Sequence, residues 1–193
     1  MSGTGTRRPR ADARRNRERV LAAADQAFRE QGTGASLEGI ARQAGVAIGT
    51  LYGHFPNRGA LSAALLRERH VALFEFGDEL PGHGTALAAL TAWMGAVSGH
   101  AAAYRGLATL LMQGFTDEAS ELHDACARMT ATTERLLSAA REAGAVRDDV
   151  STADVHALTN AAAWLREQVP PEQADHLTAL LVRGLRTGDD GTR

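Results

Sequence analysis

The sequence predicts an all-α protein, with three N-terminal helices followed by a larger helical domain, about nine helices in all. Apolar residues recur at helical spacing along most of the chain, and glycine or proline stands at the ends of these segments. No segment alternates apolar and polar residues between turn signals in the way that a β-strand does. Together these observations favour helices throughout.

Composition is that of a folded globular protein. Of the 193 residues, 44% are apolar and 23% charged, which is ordinary for this class. No apolar run reaches the roughly 18–20 residues that cross a bilayer, so we expect no membrane partner. The apolar stretch after the arginine-rich start contains Asp25 and Gln26, which argues against a signal peptide. Cys126 is the sole cysteine, which excludes an intrachain disulfide and fits a reducing cytoplasm.

Charge is divided unevenly along the chain, although the net charge is only −2. Residues 1–58 hold ten arginines and five acidic residues, whereas residues 59–193 hold eleven arginines and eighteen acidic residues. A basic end on an acidic body indicates that only the N-terminal end contacts a polyanion.

The N-terminal segment begins with an irregular arm. Residues 1–12 are rich in Gly, Thr, Arg and Pro without periodicity, and we expect them to be a disordered basic arm. A first helix is predicted from about 13 to 31, and Gly32 ends it. Its apolar positions are Val20, Leu21, Ala24, Ala27 and Phe28.

Two short helices follow. Ser36 is a good N-cap for a helix that runs to about Gln43, and Gly45 supplies the left-handed turn after it. A second short helix is predicted from about 47 to 53.

Pro56 and Asn57 end that helix and start a longer one, which runs to about residue 80. We assign residues 13–58 to an N-terminal domain and residues 59–187 to a second domain. The remaining helices are predicted at about 84–99, 101–113, 117–143, 151–167 and 171–187, before a tail at 188–193.

Residues 36–58 have the pattern of a helix-turn-helix unit. Such a unit needs a small residue where its helices cross, a glycine in the turn and apolar residues beneath. Ala41 and Gly45 meet the first two needs. The apolar residues are Ile40, Ala44, Val46, Leu51 and Phe55. The residues left around the second helix are small or polar enough to enter a DNA groove, and they include Ala47, Ile48, Gly49, Thr50, Tyr52 and His54.

Several side chains of this unit suit DNA contacts. Thr50 can donate or accept a hydrogen bond at a base edge, and its methyl group suits a thymine methyl. Tyr52, His54 and Arg58 can reach phosphate oxygens, as can the hydroxyl of Ser36 and the backbone amides beside it. For Tyr52 the alternative is a place in the core.

Arginines outside this segment are further candidates for phosphate contacts. A flexible arginine-rich stretch before a DNA-reading domain can follow the duplex backbone or enter its minor groove, which adds salt-dependent affinity. The alternative is a solvated helix face. The residues concerned are Arg14, Arg15, Arg17 and, from the first short helix, Arg42.

Residues 14–69 resemble the DNA-binding domain of the TetR/AcrR family of transcriptional regulators. The residues that carry the resemblance are Ala24, Phe28, Gly32, Ser36, Leu37, Ile40, Ala41, Ala44, Gly45, Val46, Gly49, Thr50, Leu51, Tyr52, His54, Phe55, Arg58 and Leu61. The resemblance implies an all-helical homodimer whose C-terminal domain binds a small molecule and whose last two helices form the dimer interface. Ala47 stands where the family often has a Ser or Thr N-cap, and Gly53 where it often has a long or aromatic residue. Arg58-Gly59 replaces a common Lys-Glu pair.

The second domain holds a group of Met, aromatic and polar residues whose composition suits a ligand pocket. The alternative for each is an ordinary core position. The candidates are Trp93, Met94, His100, Tyr104, Met112, Phe115, His123, Cys126, Met129 and Trp164. His123 and Cys126 share a helix face, but two ligands are too few for a metal site, so we predict no metal and no cofactor.

Two apolar stripes near the C-terminus fit the implied dimer interface. A dimer is also expected physically, because one such unit buries little DNA and two units read a near-palindrome. The alternative is that both stripes face their own core. The stripes consist of Val155, Leu158, Ala162 and Leu165, then Leu177, Leu181, Gly184 and Leu185.

We therefore expect a cytoplasmic, ligand-responsive transcriptional repressor. Its homodimer binds a near-palindromic double-stranded DNA operator and is released by an unknown small-molecule effector. The main alternative is a small-molecule sensor whose DNA binding is weakened or lost, as Ala47 and Gly53 hint. An all-α enzyme is the third reading, and no catalytic triad, paired carboxylates or phosphate loop at motif spacing supports it.

Overall fold

The computed structural model describes residues 7–82 and 84–187, which form nine α-helices, a short 3₁₀ turn at Leu80–Gly82 and no β-strand. The predicted all-α class is confirmed for these residues. The helices are α1 (Arg7–Gln31), α2 (Leu37–Ala44), α3 (Ile48–His54), α4 (Arg58–Glu79), α5 (Ala86–Ala101), α6 (Leu107–Thr116), α7 (His123–Glu142), α8 (Thr152–Gln168) and α9 (Pro171–Leu185). None of these helices is long and apolar enough to span a membrane.

The first helix is longer than the sequence predicts. α1 begins at Arg7, so residues 7–12 of the predicted disordered arm are helical. Pro9 is compatible with this start because it lies in the first turn, where a backbone N–H has no helical acceptor. Residues 1–6 of the predicted arm and the predicted tail at 188–193 lie outside the described residues.

The helices from α5 to α7 are separated by longer connections than the sequence predicts. α6 is preceded by Gly106, whose φ of +82° places it in the left-handed region that favours glycine. α7 begins at His123 instead of near residue 117, after a turn in which the N–H of Ser120 donates to the carbonyl of Asp117. The connection from α5 to α6, residues 102–106, is therefore a defined turn.

Buried apolar residues form two clusters. The N-terminal cluster joins α1, α2, α3 and the first half of α4 to α6 and the start of α7, with Phe28 and Leu111 among its members. The C-terminal cluster joins the second half of α4 to α5, α7, α8 and α9, with Trp93 and Val155 among its members. α6 thus belongs to the same cluster as the first three helices, and the N-terminal cluster crosses the boundary predicted between residues 58 and 59.

Hydrogen bonds fasten the α5–α6 connection to the end of α1. The hydroxyl of Tyr104 donates to Oδ1 of Asp25 at 2.5 Å, and the N–H of Thr33 donates to the carbonyl of Arg105 at 2.8 Å. Gly32 packs so closely there that a Cβ atom would lie 2.7 Å from the carbonyl oxygen of Arg105. These contacts join the N-terminal helices to the turn that leads into α6.

Candidate nucleic-acid interface and ligand cavity

The turn between α2 and α3 is built around Gly45. Its backbone is left-handed, with φ +63° and ψ +40°, and its N–H donates to the carbonyl of Arg42 at 3.1 Å. The N–H of Val46 donates to the carbonyl of Ala41 at 3.0 Å, and Nη2 of Arg19 donates to the carbonyl of Gly45 at 3.1 Å. These bonds satisfy the last carbonyls of α2 and fix the direction in which α3 leaves it.

α3 presents one side to the N-terminal cluster and the opposite side to solvent. Leu51 is fully buried, and Phe55, just after the helix, is 2% exposed. The outward side carries Ile48, which is 37% exposed, and Tyr52, which is 43% exposed. Of the other residues on or beside this helix, Ala47, Gly49 and Gly53 are exposed, whereas Thr50 and His54 are half-buried.

This outward side has dimensions that suit a DNA major groove. A helix of seven residues is about 10 Å long, and the major groove is about 12 Å wide. A Cβ atom added at Gly49 or at Gly53 would meet no atom within 4 Å, so the backbone is open to close approach there. The fold therefore brings the residues predicted on the second short helix to an accessible surface.

The two short helices differ at their N-termini. Oγ of Ser36 accepts a hydrogen bond from the N–H of Gly39 at 3.2 Å and donates one to Oε2 of Glu38 at 2.9 Å. A backbone hydrogen bond and this bond from Ser36 hold the pKa of Glu38 below its usual value. Ala47, the N-cap of α3, makes no side-chain capping bond. The hydroxyl of Ser36 is thus engaged within its own helix, and α3 starts without a side-chain cap.

Two of the predicted basic contacts lie on the exposed surface of α1. Arg14 pairs with Glu18 at 3.6 Å, and Arg15 pairs with Asp12 on the same helix. Exposed pairs of this kind contribute little to stability, about 0–1 kcal/mol each. Breaking either pair therefore costs the protein little stability.

Other arginines lie closer to the helix-turn-helix unit. The guanidinium carbon of Arg17 is 5.4 Å from the ring centre of Phe55, and Arg42 is exposed in the last turn of α2. Arg19 supports the turn through its bond to Gly45. The sequence prediction missed Arg19, because nothing in the arginine-rich pattern of α1 shows which side chain meets the turn.

Arg58 has a different place from the predicted phosphate contact. Its Nη1 atom donates to the carbonyl of Ala35 at 2.6 Å and to the carbonyl of Thr33, and the side chain is half-buried. The guanidinium group thus fastens the start of α4 to the connection between α1 and α2. Its hydrogen bonds to these buried carbonyls, and not a phosphate, account for its position.

A small cavity, partly open to solvent, lies where α5, α6, α7 and α8 meet, between the two clusters. Its volume is about 20 Å³, which is room for roughly one water molecule. The lining residues are Val97, Ala101, Leu111, Phe115, Met129, His156, Thr159 and Asn160. Phe115 and Met129 were among the predicted ligand residues, whereas His156 and Asn160 were missed because a single polar residue on a helix has no sequence pattern of its own.

The other predicted ligand residues do not line this cavity. Trp93 is buried and donates its Nε1–H to Oγ1 of Thr133 at 2.9 Å. Burial and the hydrogen bond to Asp25 raise the pKa of Tyr104 to about 12. The remaining residues are Met94 and His100, both buried, Met112, which is 37% exposed, and Trp164, which is 57% exposed. The exposed position of Trp164 corrects its predicted place in a pocket.

His123 and Cys126 do not form a reactive site. The Nδ1 atom of His123 lies 3.1 Å from the carbonyl of Gly114, and Cys126 is fully buried in the N-terminal cluster. Burial raises the pKa of the Cys126 thiol to about 12, so it stays protonated and unreactive. Within the described ranges, no group of three or more His, Cys, Asp or Glu residues is placed to hold a metal ion.

The predicted dimer stripes are only partly on the surface. Val155, Ala162 and Leu185 are at most 4% exposed, because they pack inside their own subunit. The other stripe residues are half-buried Leu158, Leu165, Leu177 and Leu181 and exposed Gly184. The two large apolar side chains exposed on α8 and α9 are Trp164 and Leu180.

The fold and the surface of α3 define a class of protein, a helix-turn-helix nucleic-acid-binding protein with a second helical domain. Residues 20–65 match the family of bacterial regulatory proteins called tetR, and residues 85–187 match a C-terminal domain described as transcriptional regulator SbtR-like. The chain belongs to the TetR family of bacterial transcriptional regulators. It is a DNA-binding transcriptional regulator, and its relatives are regulators, not enzymes.

Individual relatives agree with this assignment. The HTH-type transcriptional regulator TtgW of Pseudomonas putida is 31% identical over 133 residues, which are 68% of this chain and 96% of that protein. The HTH-type transcriptional regulator SrpR of Pseudomonas putida is also 31% identical, over 68% of this chain and 60% of its own length. The crystal structure of the TetR regulator SCO0520 from Streptomyces coelicolor is 34% identical, with a TM-score of 0.56 over 88% of this chain and 98% of that one. A TetR regulatory protein from Mycobacterium vanbaalenii is 34% identical, with a TM-score of 0.51 over 92% and 99%.

Proposed function

We propose that this regulator is a repressor that binds a near-palindromic operator as a homodimer and leaves it when a small molecule binds its C-terminal domain. The observation that carries the proposal is the outward side of α3, on which Ile48, Gly49 and Tyr52 are accessible. Contacts from Tyr52, His54 and the arginines of α1 to phosphates position this helix, and Thr50 reads a base edge.

The homodimer is supported by the outer surface of α8 and α9. Trp164 and Leu180 are large apolar side chains that are 57% and 45% exposed, on two helices that pack against each other. Leu165, Leu177 and Leu181 are half-buried beside them. In the proposed dimer this surface pairs about a twofold axis, and the two copies of α3 read half-sites one helical turn apart.

The response to an effector is supported by the position of the cavity. Leu111 of α6 belongs to the N-terminal cluster and Met129 of α7 to the C-terminal cluster, and both line the cavity. A molecule that enlarges the cavity separates α6 from α7. Because Arg105, just before α6, is bonded to Thr33, this displacement reaches the N-terminal helices. The ligand acts to the extent that it binds one arrangement better than the other.

An electrophoretic mobility shift tests the proposal, with the duplex upstream of the protein's own gene and a scrambled duplex of equal length as competitor. We expect a shifted band that the scrambled DNA does not displace. Tyr52→Ala should weaken this complex about tenfold, since it removes one charge-assisted contact. Phe76→Ala, at a similarly exposed aromatic residue on α4, is the matched control and should leave the complex unchanged. Absence of a specific band from a folded dimer contradicts the proposal.

A sensor with weakened DNA binding is the second candidate, and the uncapped start of α3 favours it. Ala47 makes no side-chain bond to the helix and Gly53 offers no side chain to DNA. Ala47→Ser distinguishes the two candidates. In a working repressor the serine adds a cap and tightens an existing specific complex, whereas in the sensor no specific complex forms with either residue.

A further inference from the structure

Hydrogen bonds around Thr133 show which ring nitrogen of His156, in the cavity wall, carries a proton. The Thr133 hydroxyl has one proton, which it donates to the carbonyl of Met129 at 2.8 Å. Its oxygen accepts from Nε1–H of Trp93 at 2.9 Å and lies 3.3 Å from Nε2 of His156. Because the only hydroxyl proton is already used, Nε2 of His156 must be the donor in the third contact.

The neutral ring of His156 therefore carries its proton on Nε2 and a lone pair on Nδ1. Burial lowers the pKa of His156, partly opposed by the charge of Glu134, so the neutral form dominates near pH 7. Nδ1 makes no hydrogen bond to any residue in the described part of the chain. A neutral imidazole nitrogen without a proton accepts hydrogen bonds and cannot donate them.

The other polar residues of the cavity wall are Thr159 and Asn160. The Thr159 hydroxyl is committed, because it donates to the carbonyl of Val155 at 2.7 Å. The Asn160 amide is half-buried and can donate as well as accept. The rest of the lining is apolar, and no lining residue is charged at neutral pH. The wall thus offers an acceptor at His156 and a donor at Asn160 in an apolar setting.

Space in the cavity limits the size of what binds. A volume of about 20 Å³ holds one polar group of the size of water, so the remainder of a ligand needs a movable wall. Phe115 is one of four half-buried residues of the lining, with Val97, His156 and Asn160, and its ring stacks on His156 with centres 4.6 Å apart. An apolar ring that takes the place of Phe115 keeps the stacking on His156.

We infer that the effector is a compact, uncharged apolar molecule with one hydroxyl group, such as a phenol, whose hydroxyl donates to Nδ1 of His156 and accepts from Asn160. This inference rests on the proposed ligand response and adds the chemical class to it. Carboxylates and phosphates are excluded, because the wall has no cation to pair with their charge, and a carboxylate also has no proton for Nδ1 at neutral pH.

Isothermal titration calorimetry of the full chain without DNA tests the inference with three probes of similar size. Phenol has a hydroxyl donor, anisole has only an ether acceptor, and toluene has neither. We expect phenol to bind about five- to tenfold more tightly than toluene, with anisole no tighter than toluene. Equal binding of phenol and toluene, preference for anisole, or no binding of phenol at millimolar concentration overturns the inference.

Two substitutions separate the ring nitrogens. In His156→Gln the side-chain amide reaches the Nε2 position and keeps the bond to Thr133, so the preference for phenol over toluene should fall to about one. In His156→Asn the side-chain oxygen takes the Nδ1 position, so the preference should persist. A preference that survives in the Gln variant, with folding confirmed by circular dichroism, overturns the inference.

Long-range ¹H–¹⁵N NMR spectra test the wild-type protein independently of any variant's stability. The signals of His156, assigned by their loss in the Gln variant, should show the Nε2–H tautomer, and the Nδ1 signal should shift when phenol is added. A Nδ1–H tautomer contradicts the inference. None of these measurements uses DNA. If the mobility shift fails but the protein still prefers phenol over toluene, the repressor role is wrong and the inference about the effector stands.

Discussion

Tyr52 and Arg58 carry polar groups that suit phosphates equally well, but the fold uses them differently. Tyr52 is 43% exposed on the outward side of α3. The guanidinium group of Arg58 instead satisfies the carbonyls of Thr33 and Ala35. At the scale of single residues, accessibility leaves Tyr52 available for the proposed DNA contact and gives Arg58 a structural role.

Arg58→Ala should lower the stability of the protein. The change leaves two carbonyls without their charged donor, at a cost of about 2 kcal/mol, or about 4–8 °C in melting temperature for a chain of this size. Arg42→Ala is the matched control, because Arg42 is exposed on α2, and it should change the melting temperature by less than about 2 °C. Thermal unfolding followed by circular dichroism measures both melting temperatures. If Arg58→Ala melts at the same temperature as Arg42→Ala, the structural role given to Arg58 is wrong.

The sequence predicts residue roles well where they follow from local spacing, and poorly where they depend on contacts across the chain. The turn glycine Gly45 and the buried Leu51 and Phe55 are found from spacing alone. The partners of Arg58 lie 23 and 25 residues away, and the partner of Tyr104 lies 79 residues away. No periodicity reports such contacts, because they depend on how the helices pack.

The α2–turn–α3 element depends on one backbone conformation. Gly45→Ala should lower the free energy of unfolding by about 1–2 kcal/mol, because a Cβ atom is strained at φ +63° and meets the guanidinium group of Arg19. Gly53→Ala is the matched control on α3, where a Cβ atom meets nothing within 4 Å. It should raise the free energy of unfolding by up to about 1 kcal/mol.

Chemical denaturation of the two glycine variants gives both values. Equal effects of the two substitutions would show that the left-handed turn is not what holds α3 in place.

Helices with clear apolar spacing and caps are predicted closely, and others are displaced at their ends. The capping box of α8, in which Ser151 and Asp154 bond each other's backbone, agrees with its predicted start near residue 151. α7 begins six residues later than predicted, at His123, because a run of polar residues with helical propensity forms turns there instead. Capping bonds decide such boundaries, and their partners are fixed only in the folded chain.

At the scale of the whole molecule, a buried histidine pair joins α4 to α5. The rings of His70 and His100 lie 4.8 Å apart, and neither Nε2 atom has a partner within the described residues. Burial lowers the pKa of His70 to about 4; burial, with the charges of His70 and Arg69, lowers that of His100 to about 3. Both rings are therefore neutral in the folded protein at pH 7.

The histidine pair should make the protein less stable in acid. The unfolded chain takes up protons on these residues near pH 6.5, and the folded chain does so only near pH 3–4, so stability falls as pH decreases between these values. In His100→Gln the free energy of unfolding should decrease less steeply with falling pH than in wild type, by about 1 kcal/mol per pH unit. His176→Gln, at an exposed residue on α9, is the control. Chemical denaturation at pH 5 and at pH 6.5 gives the free energy of unfolding at each pH. If this free energy decreases equally in wild type and in His100→Gln, the histidine pair is not the cause.

The proposed dimer gives a further prediction at this scale. Trp164→Glu should convert the dimer to a folded monomer at micromolar concentration, because it places a charge in an apolar interface. Val71→Glu, at a residue that is 53% exposed on α4, is the matched control and should stay dimeric. Sedimentation velocity measures the change, and a dimer that persists in Trp164→Glu excludes this surface.

The overall class was predictable and the cavity was not. Helical spacing and the 36–58 segment identify the fold class and the DNA-reading unit, because both depend on local pattern. The cavity wall combines residues from four helices, and its polar members His156 and Asn160 stand alone on α8. Only the packing of α5 to α8 brings them together.

We propose that α3 of a homodimer reads a specific DNA site. Fluorescence anisotropy of a labelled duplex from the upstream region, titrated between ~50 and ~200 mM salt, tests this proposal. We expect two protomers per duplex, an affinity well above that for a scrambled duplex, and a steep loss of affinity as salt rises. Equal affinity for the scrambled duplex, or an affinity that does not change with salt, would contradict it.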